Sequence, residues 1–136
     1  MNAHFSFSID RTHGLVRIAM GGLFGPADIA AFLEARREAH AALGLGPNQH
    51  MTLNDLREMK IQSQDAVALF QRMLADPAER SRRLAFVAPP TLARAQLMRA
   101  VQGRDCRCFD TPEEAEAWLT GADEGWAEPE RRAANG

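Results

Sequence analysis

The chain is predicted to be an α/β protein with a small mixed sheet, in the order ββαβαβαβα. An N-terminal antiparallel hairpin is followed by parallel strands, with about four helices in all. Three observations carry this. Residues 4–10 and 15–20 are two apolar stretches separated by only Arg11-Thr-His-Gly14, too short for anything but a hairpin. Residues 51–88 read strand, helix, strand, the pattern of a parallel pair with a crossover helix. Two helix starts carry explicit capping chemistry, at Gly25-Pro26 and at Thr111-Pro112.

In chain order, Phe5, Phe7 and Ile9 alternate with Ser6 and Ser8, as in a half-buried strand. Leu15, Val16, Ile18 and Met20 form the second strand. Gly25 suits an N-cap, Pro26 the first helical position, and Asp28 the first turn, where the helix dipole favours a carboxylate. The helix should run from Pro26 to Leu43. Ile29, Phe32, Leu33, Ala39 and Leu43 lie on its buried side, with Glu34, Arg36, Arg37 and Glu38 outside, and Gly44, Gly46 and Pro47 stop it.

A strand over 51–55 then leads through a loop to Ser63. Ala66, Val67, Phe70, Met73 and Leu74 follow at the spacing of an amphipathic helix that ends at Asp76-Pro77. Residues 83–88 form the next strand, closed by Pro89-Pro90. Thr91 caps a third helix that Gly103 terminates, and residues 104–109 give a short last strand. Thr111-Pro-Glu-Glu114 is a capping box opening the final helix, which Ala115, Trp118 and Leu119 can pack. The expected core is Phe5, Phe7, Ile9, Leu53, Val67, Phe70, Leu84, Phe86 and Leu119. One domain over 1–120 is expected, with a disordered tail over 121–136, a stretch mostly of Gly, Ala, Glu, Pro and Arg with one Trp.

At 136 residues, 46% hydrophobic and 25% charged, the composition is that of a globular domain with a substantial core. A net charge of -2 gives no general attraction to nucleic acid or anionic membrane. Charge is unevenly spread: seven arginines against Asp105 between Arg80 and Arg107, then eight acids and no base from Asp110 to Glu130. These are either two solvated faces or an anion patch involving Arg94 and Arg99. No run approaches the ~20 apolar residues of a membrane span. The first twenty residues lack a basic start and an apolar core, so no signal peptide is expected and a cytoplasmic protein is the default. Cys106 and Cys108 alone imply neither a disulfide framework nor a zinc site.

Candidate chemistry centres on Asn54, Asp55 and Arg57 at the strand end and on Gln62 and Ser63 at the helix start. A loop there lies at the carboxyl edge of a parallel sheet, where open α/β folds place their sites. Ser63 is either an N-cap or a regulatory serine whose phosphate the helix start would favour. Asp55 is either a structural carboxylate paired with Arg57 or an acid/base group, and no second carboxylate or nearby histidine completes a catalytic set. His4, His13, His40 and His50 have no ligand spacing. The glycines of Gly21-Gly-Leu-Phe-Gly25 match no phosphate-binding motif, and there is no G-x-S-x-G elbow. No metal and no cofactor is expected.

Leu53-Asn-Asp-Leu-Arg57, Ile61-Gln-Ser63, Arg83-Leu-Ala-Phe-Val-Ala88 and Phe109-Asp-Thr-Pro-Glu-Glu-Ala-Glu-Ala-Trp-Leu119, in this order, resemble the STAS domain, the fold of bacterial anti-sigma-factor antagonists (SpoIIAA-like). The chain looks closest to the bacterial branch similar in fold to CRAL-TRIO lipid-binding domains. In the antagonists the phosphorylated serine lies in a pattern like Asp-Ser-Ser-Gly-Leu. The matching stretch here is Gln62-Ser63-Gln64-Asp65-Ala66, with Gln62 at the aspartate position and Asp65 at the glycine position, where it would repel a phosphate. The resemblance implies a non-enzymatic regulatory or binding module acting through protein contacts at the Asn54–Ser63 edge. The alternative it implies is a carrier or sensor of a small apolar or lipid-like ligand. An enzyme using Asp55 and Arg57 is the remote third reading. The expected partner is thus a protein or a small apolar molecule, with no nucleic acid and no integral membrane segment. Oligomeric state is left open, a homo-oligomer being one option.

Overall fold

The computed structural model describes residues 2–89, 91, 92, 94, 95, 99 and 106–121. Five strands form one sheet in sequential order: β1 (His4–Asp10), β2 (Leu15–Gly22), β3 (Met51–Met59), β4 (Arg83–Val87) and β5 (Cys106–Phe109). β1 and β2 pair antiparallel, and β2, β3, β4 and β5 run parallel. The helices are α1 (Pro26–Leu43), α2 (Gln64–Ala75) and α3 (Pro112–Glu116), the last continuing as a wider turn to Gly121. The expected α/β mixed sheet is therefore present. The helix expected over 91–103 falls largely outside the described residues, and the tail beyond residue 121 lies wholly outside them.

Local chemistry sets the helix ends. The backbone N–H of Gly25 donates to the Asp28 carboxylate at 2.8 Å, and Pro26 opens α1. Gly44 closes it at φ 80, a left-handed geometry that glycine adopts freely. At α3, the N–H of Glu114 donates to Thr111 Oγ1 at 3.2 Å, as the capping box predicts.

Alternation along the strands gives the sheet two covered faces. Val16, Ile18 and Met20 turn toward α1, and Leu84 and Phe86 lie on the same side with Leu56 and Leu74. Leu15, Met51, Leu53, Ala85 and Val87 turn the other way, under Ala115 and Leu119 of the C-terminal helical segment. Every residue of β4 is buried, as expected of a parallel strand covered on both sides.

Several expectations are corrected. β3 continues to Met59 rather than ending near residue 55. Gly21 and Gly22 pair with Glu58 and Met59 past a register shift, so two β3 residues oppose Met20. Polar Arg57 and exposed Glu58 hid this extension. Gly22 is required there: at φ +84, a Cβ would sit 2.1 Å from the Asn2 carbonyl oxygen. Arg36, expected outside, is only 9% exposed and lies among His40, Thr52 and Ser81. Of the expected core, Leu53, Leu84, Phe86 and Leu119 are buried. Phe5, Phe7 and Ile9 are half-buried because β1 is an edge strand. Val67 and Phe70 are half-buried for another reason: α2 buries only Ala66 fully, and Val67, Phe70, Met73 and Leu74 face a cavity.

The centre of the α1 side is Phe32, 1% exposed, whose ring lies 5.4 Å from Phe5 and Phe7, 6.4 Å from Phe24 and 6.5 Å from Phe70. Phe32→Ala should cost ~3–5 kcal/mol in urea unfolding. Phe70→Ala should cost less than half as much, since its ring already borders open space. Equal losses would mean that α2 packs as tightly on the sheet as α1 does.

Candidate functional site

The carboxyl ends of β2, β3 and β4 lie at one edge of the sheet because the three strands are parallel. Between the sheet and α2 at this edge is a cavity of about 90 Å³. Asn54, Leu56 and Phe86 form part of its floor. Val67, Phe70, Met73 and Leu74 of α2 form its roof, and Met59, Lys60, Gln62 and Thr91 lie toward the edge. The lining is overwhelmingly apolar. Asn54 is the exception at depth: it is 6% exposed, and its Oδ1 has no hydrogen-bond partner among the described residues. Register places it between Ile18 and Phe86, in the middle of the sheet.

The loop between β3 and α2 is tied down by Gln62, which is 8% exposed. Its Oε1 accepts from the N–H of Phe24 at 2.9 Å. Its Nε2 donates to the carbonyls of Gly22 at 3.0 Å and Lys60 at 2.6 Å. The side chain thereby extends the β2–β3 pairing beyond the last strand residues. Ser63 follows as the N-cap of α2, its Oγ accepting from the N–H of Ala66 at 3.1 Å. The hydroxyl itself is exposed at the edge, with Asp65 in the first helical turn.

The site residues picked from the sequence do not all come together. Asn54 faces α2 and the cavity, whereas Asp55 and Arg57 alternate onto the opposite side of β3. Arg57 closes back on Asp55 through Nε at 2.9 Å, Nη2 at 2.7 Å and its own backbone N–H at 3.2 Å. The guanidinium holds the Asp55 carboxyl below the usual carboxylate range. This closed fork leaves neither group presented for acid/base chemistry. Arg94 donates to the Ala88 carbonyl and to Asp110, both at 3.1 Å, so it clasps the ends of β4 and β5. Arg99 is exposed. Cys106 and Cys108 are half-buried and not disulfide-bonded, and burial raises the Cys108 thiol. Among the described residues, no group of three or more His, Cys, Asp or Glu could hold a metal ion, and no helix is long and apolar enough to cross a membrane.

A buried polar cluster at the opposite end of the sheet escaped the sequence reading. The rings of His40 and His50 lie 4.2 Å apart. His40 Nδ1 donates to Glu79, His50 Nε2 is 3.3 Å from Ser81 Oγ, and Ser81 shares a 2.6 Å hydrogen bond with Thr52. Only the fold joins residues so far apart in sequence; the single hint was two histidines flanking a Gly/Pro turn. Burial, reinforced by the neighbouring His40, pushes His50 down to about 4, and burial also lowers His40.

No protein-family profile matches the sequence, and no curated protein does. Solved structures do match. One is an uncharacterized protein of the DUF3478 family with a SpoIIAA-like fold from Shewanella loihica PV-4. It has a TM-score of 0.67 and 17% identity over 88% of this chain and 96% of that one. Another is an anti-sigma factor antagonist from Mycobacterium paratuberculosis, with a TM-score of 0.55 and 11% identity over 85% of this chain and 94% of that one. The chain has the SpoIIAA-like, or STAS, fold.

Two outcomes test this geometry. Because the folded state resists protonating His50 until about pH 4 while the unfolded chain takes up a proton near 6.5, this contribution to stability is complete above pH 6.5. It is lost as pH falls toward 4, by about 3 kcal/mol from His50 alone. Urea midpoints measured from pH 7 to pH 4 should fall accordingly, and His50→Gln should flatten that slope. At the edge, Gln62→Ala strands the Phe24 N–H and should cost ~1–3 kcal/mol. Ser63→Ala should cost ~0.5–2 kcal/mol, and Ser63→Gly only a few tenths. Chemical denaturation of the variants checks the order.

Proposed function

We propose that the protein is a non-enzymatic regulatory module that engages a protein partner through the carboxyl edge of its parallel strands. The carrying observation is the placement of large exposed apolar side chains. Leu23, Ile61 and Leu92, at 48%, 53% and 72% exposure, follow the ends of β2, β3 and β4 in turn. Single exposed aliphatics are ordinary, but three at one functional edge are the makings of a contact surface. Ser63 lies on the same edge and caps α2 beside Ile61 and Gln62. The similarity in fold to an anti-sigma factor antagonist fits a module that works by contact rather than by catalysis. The Asp55–Arg57 fork gives the enzyme reading no presented acid or base. The soluble, cytoplasmic setting expected from the sequence suits this role.

A photo-crosslinking residue placed at Ile61 should trap a discrete heavier product in the native host. One placed at Leu45, exposed at the far end of α1, should not. Leu23→Glu should diminish the product without lowering the melting temperature. No product at Ile61, or the same products at Ile61 and Leu45, defeats the proposal.

A second reading, that the module carries or senses a small apolar ligand of the kind the CRAL-TRIO resemblance implies, is favoured by the cavity under α2. Native mass spectrometry of freshly purified protein tests it, since a co-purified ligand adds its mass.

A further inference from the structure

We propose that the cavity beneath α2 is a binding site for a small uncharged alcohol, with the Asn54 carboxamide as its polar anchor. This rests on the ligand reading above and adds the chemical class of the ligand. The walls are apolar and select a hydrocarbon body: Phe70 and Met73 above, Leu56 and Phe86 below. Asn54 breaks that pattern in the middle of the floor, 6% exposed with Oδ1 unsatisfied among the described residues. A buried carboxamide oxygen without a donor is costly, so the site is complete only when something supplies one. A hydroxyl both donates and accepts, and so satisfies a carboxamide whichever way its amide is turned. A carboxylate offers no donor. It would also bury a charge whose one cationic neighbour in the lining among the described residues, Lys60, is exposed at the rim. The cavity of about 90 Å³ is several times the ~10–15 Å³ that one water requires, so water alone is not its natural filling. Its place, at the carboxyl ends of parallel strands, is where open α/β sheets hold ligands.

Methionine methyl groups report on the site directly. Met20, Met59 and Met73 line it, while Met51 is buried on the opposite face of the sheet. With methyl-labelled methionine, 1-hexanol should shift the first three NMR resonances and leave Met51 in place. The comparison probe is 1-chlorohexane, similar in shape, more hydrophobic and without a hydroxyl. A purely apolar cavity would prefer the chloride, and an Asn54-anchored one binds hexanol more tightly. Asn54→Leu should weaken hexanol at least tenfold and reverse the preference, the unmoved Met51 resonance showing that the fold is kept. The wild-type comparison stands even where that variant does not fold. Tighter binding of 1-chlorohexane by the wild type overturns the anchor while leaving an apolar ligand site in being. Hexanol affinity unchanged in Asn54→Leu overturns it equally, a water in the adjoining hollow of about 20 Å³ then satisfying Asn54. No shift of Met20, Met59 or Met73 up to the solubility limit of hexanol overturns both the anchor and the ligand reading.

Discussion

The rest of the structure depends on the parallel pairing of β3 with both of its neighbours. It makes β3 the middle strand, covered on both faces, so the alternation of its side chains up to the register shift decides which of them face each side. Met51 and Leu53 go to the C-terminal helical segment, and Thr52, Asn54 and Leu56 go to the side of α1 and α2. A slip of one residue would exchange these sets and put Asp55 under α2. Two polar groups on that side, Thr52 and Asn54, then decide what lies above them. Thr52 joins the Ser81 and His50 cluster, and Asn54 stands beneath the gap.

The two helices on this side pack differently for a reason visible in their residues. α1 sets Ile29, Phe32, Ala39 and Leu43 directly on the core, and Phe32 gathers four other rings. α2 sits over a floor that includes a carboxamide, which apolar side chains cannot satisfy. Val67, Phe70, Met73 and Leu74 remain half-buried around the resulting space. The edge beyond them carries Ile61 and Ser63, so an apolar interior and an exposed apolar side chain adjoin at the same strand ends.

Much of this was legible from the residues. Gly25, Pro26, Asp28 and Gly44 specify both ends of α1 through local chemistry, and Thr111 to Glu114 specify the start of α3. The hairpin and the strand–helix–strand unit follow from periodicity and turn length. What escaped the sequence was non-local. The end of β3 was hidden because Arg57 and Glu58 are solvated while their backbone still pairs with β2. Arg36 read as surface on a helical wheel, yet it lines a hollow with His40, Thr52 and Ser81 that only the fold assembles. The meeting of His40 with His50 belongs to the same class. At the site, the capping of α2 by Ser63 could be read locally, whereas the opposed directions of Asn54 and Asp55 became meaningful only once both faces of β3 were known to be covered.

The three hydrogen bonds of Gln62 bear on the partner contact proposed for this edge. A loop that must be ordered by its partner loses conformational freedom on binding, and that loss is subtracted from affinity. Here the segment from Lys60 to Ser63 is already fastened to the backbone of Gly22 and Phe24, and its last residue starts a helix. The entropy of fixing it has been lost during folding. An occupant that closes over Ile61 meets a preorganised surface, and the apolar area it covers there counts toward affinity with little offset for ordering the loop.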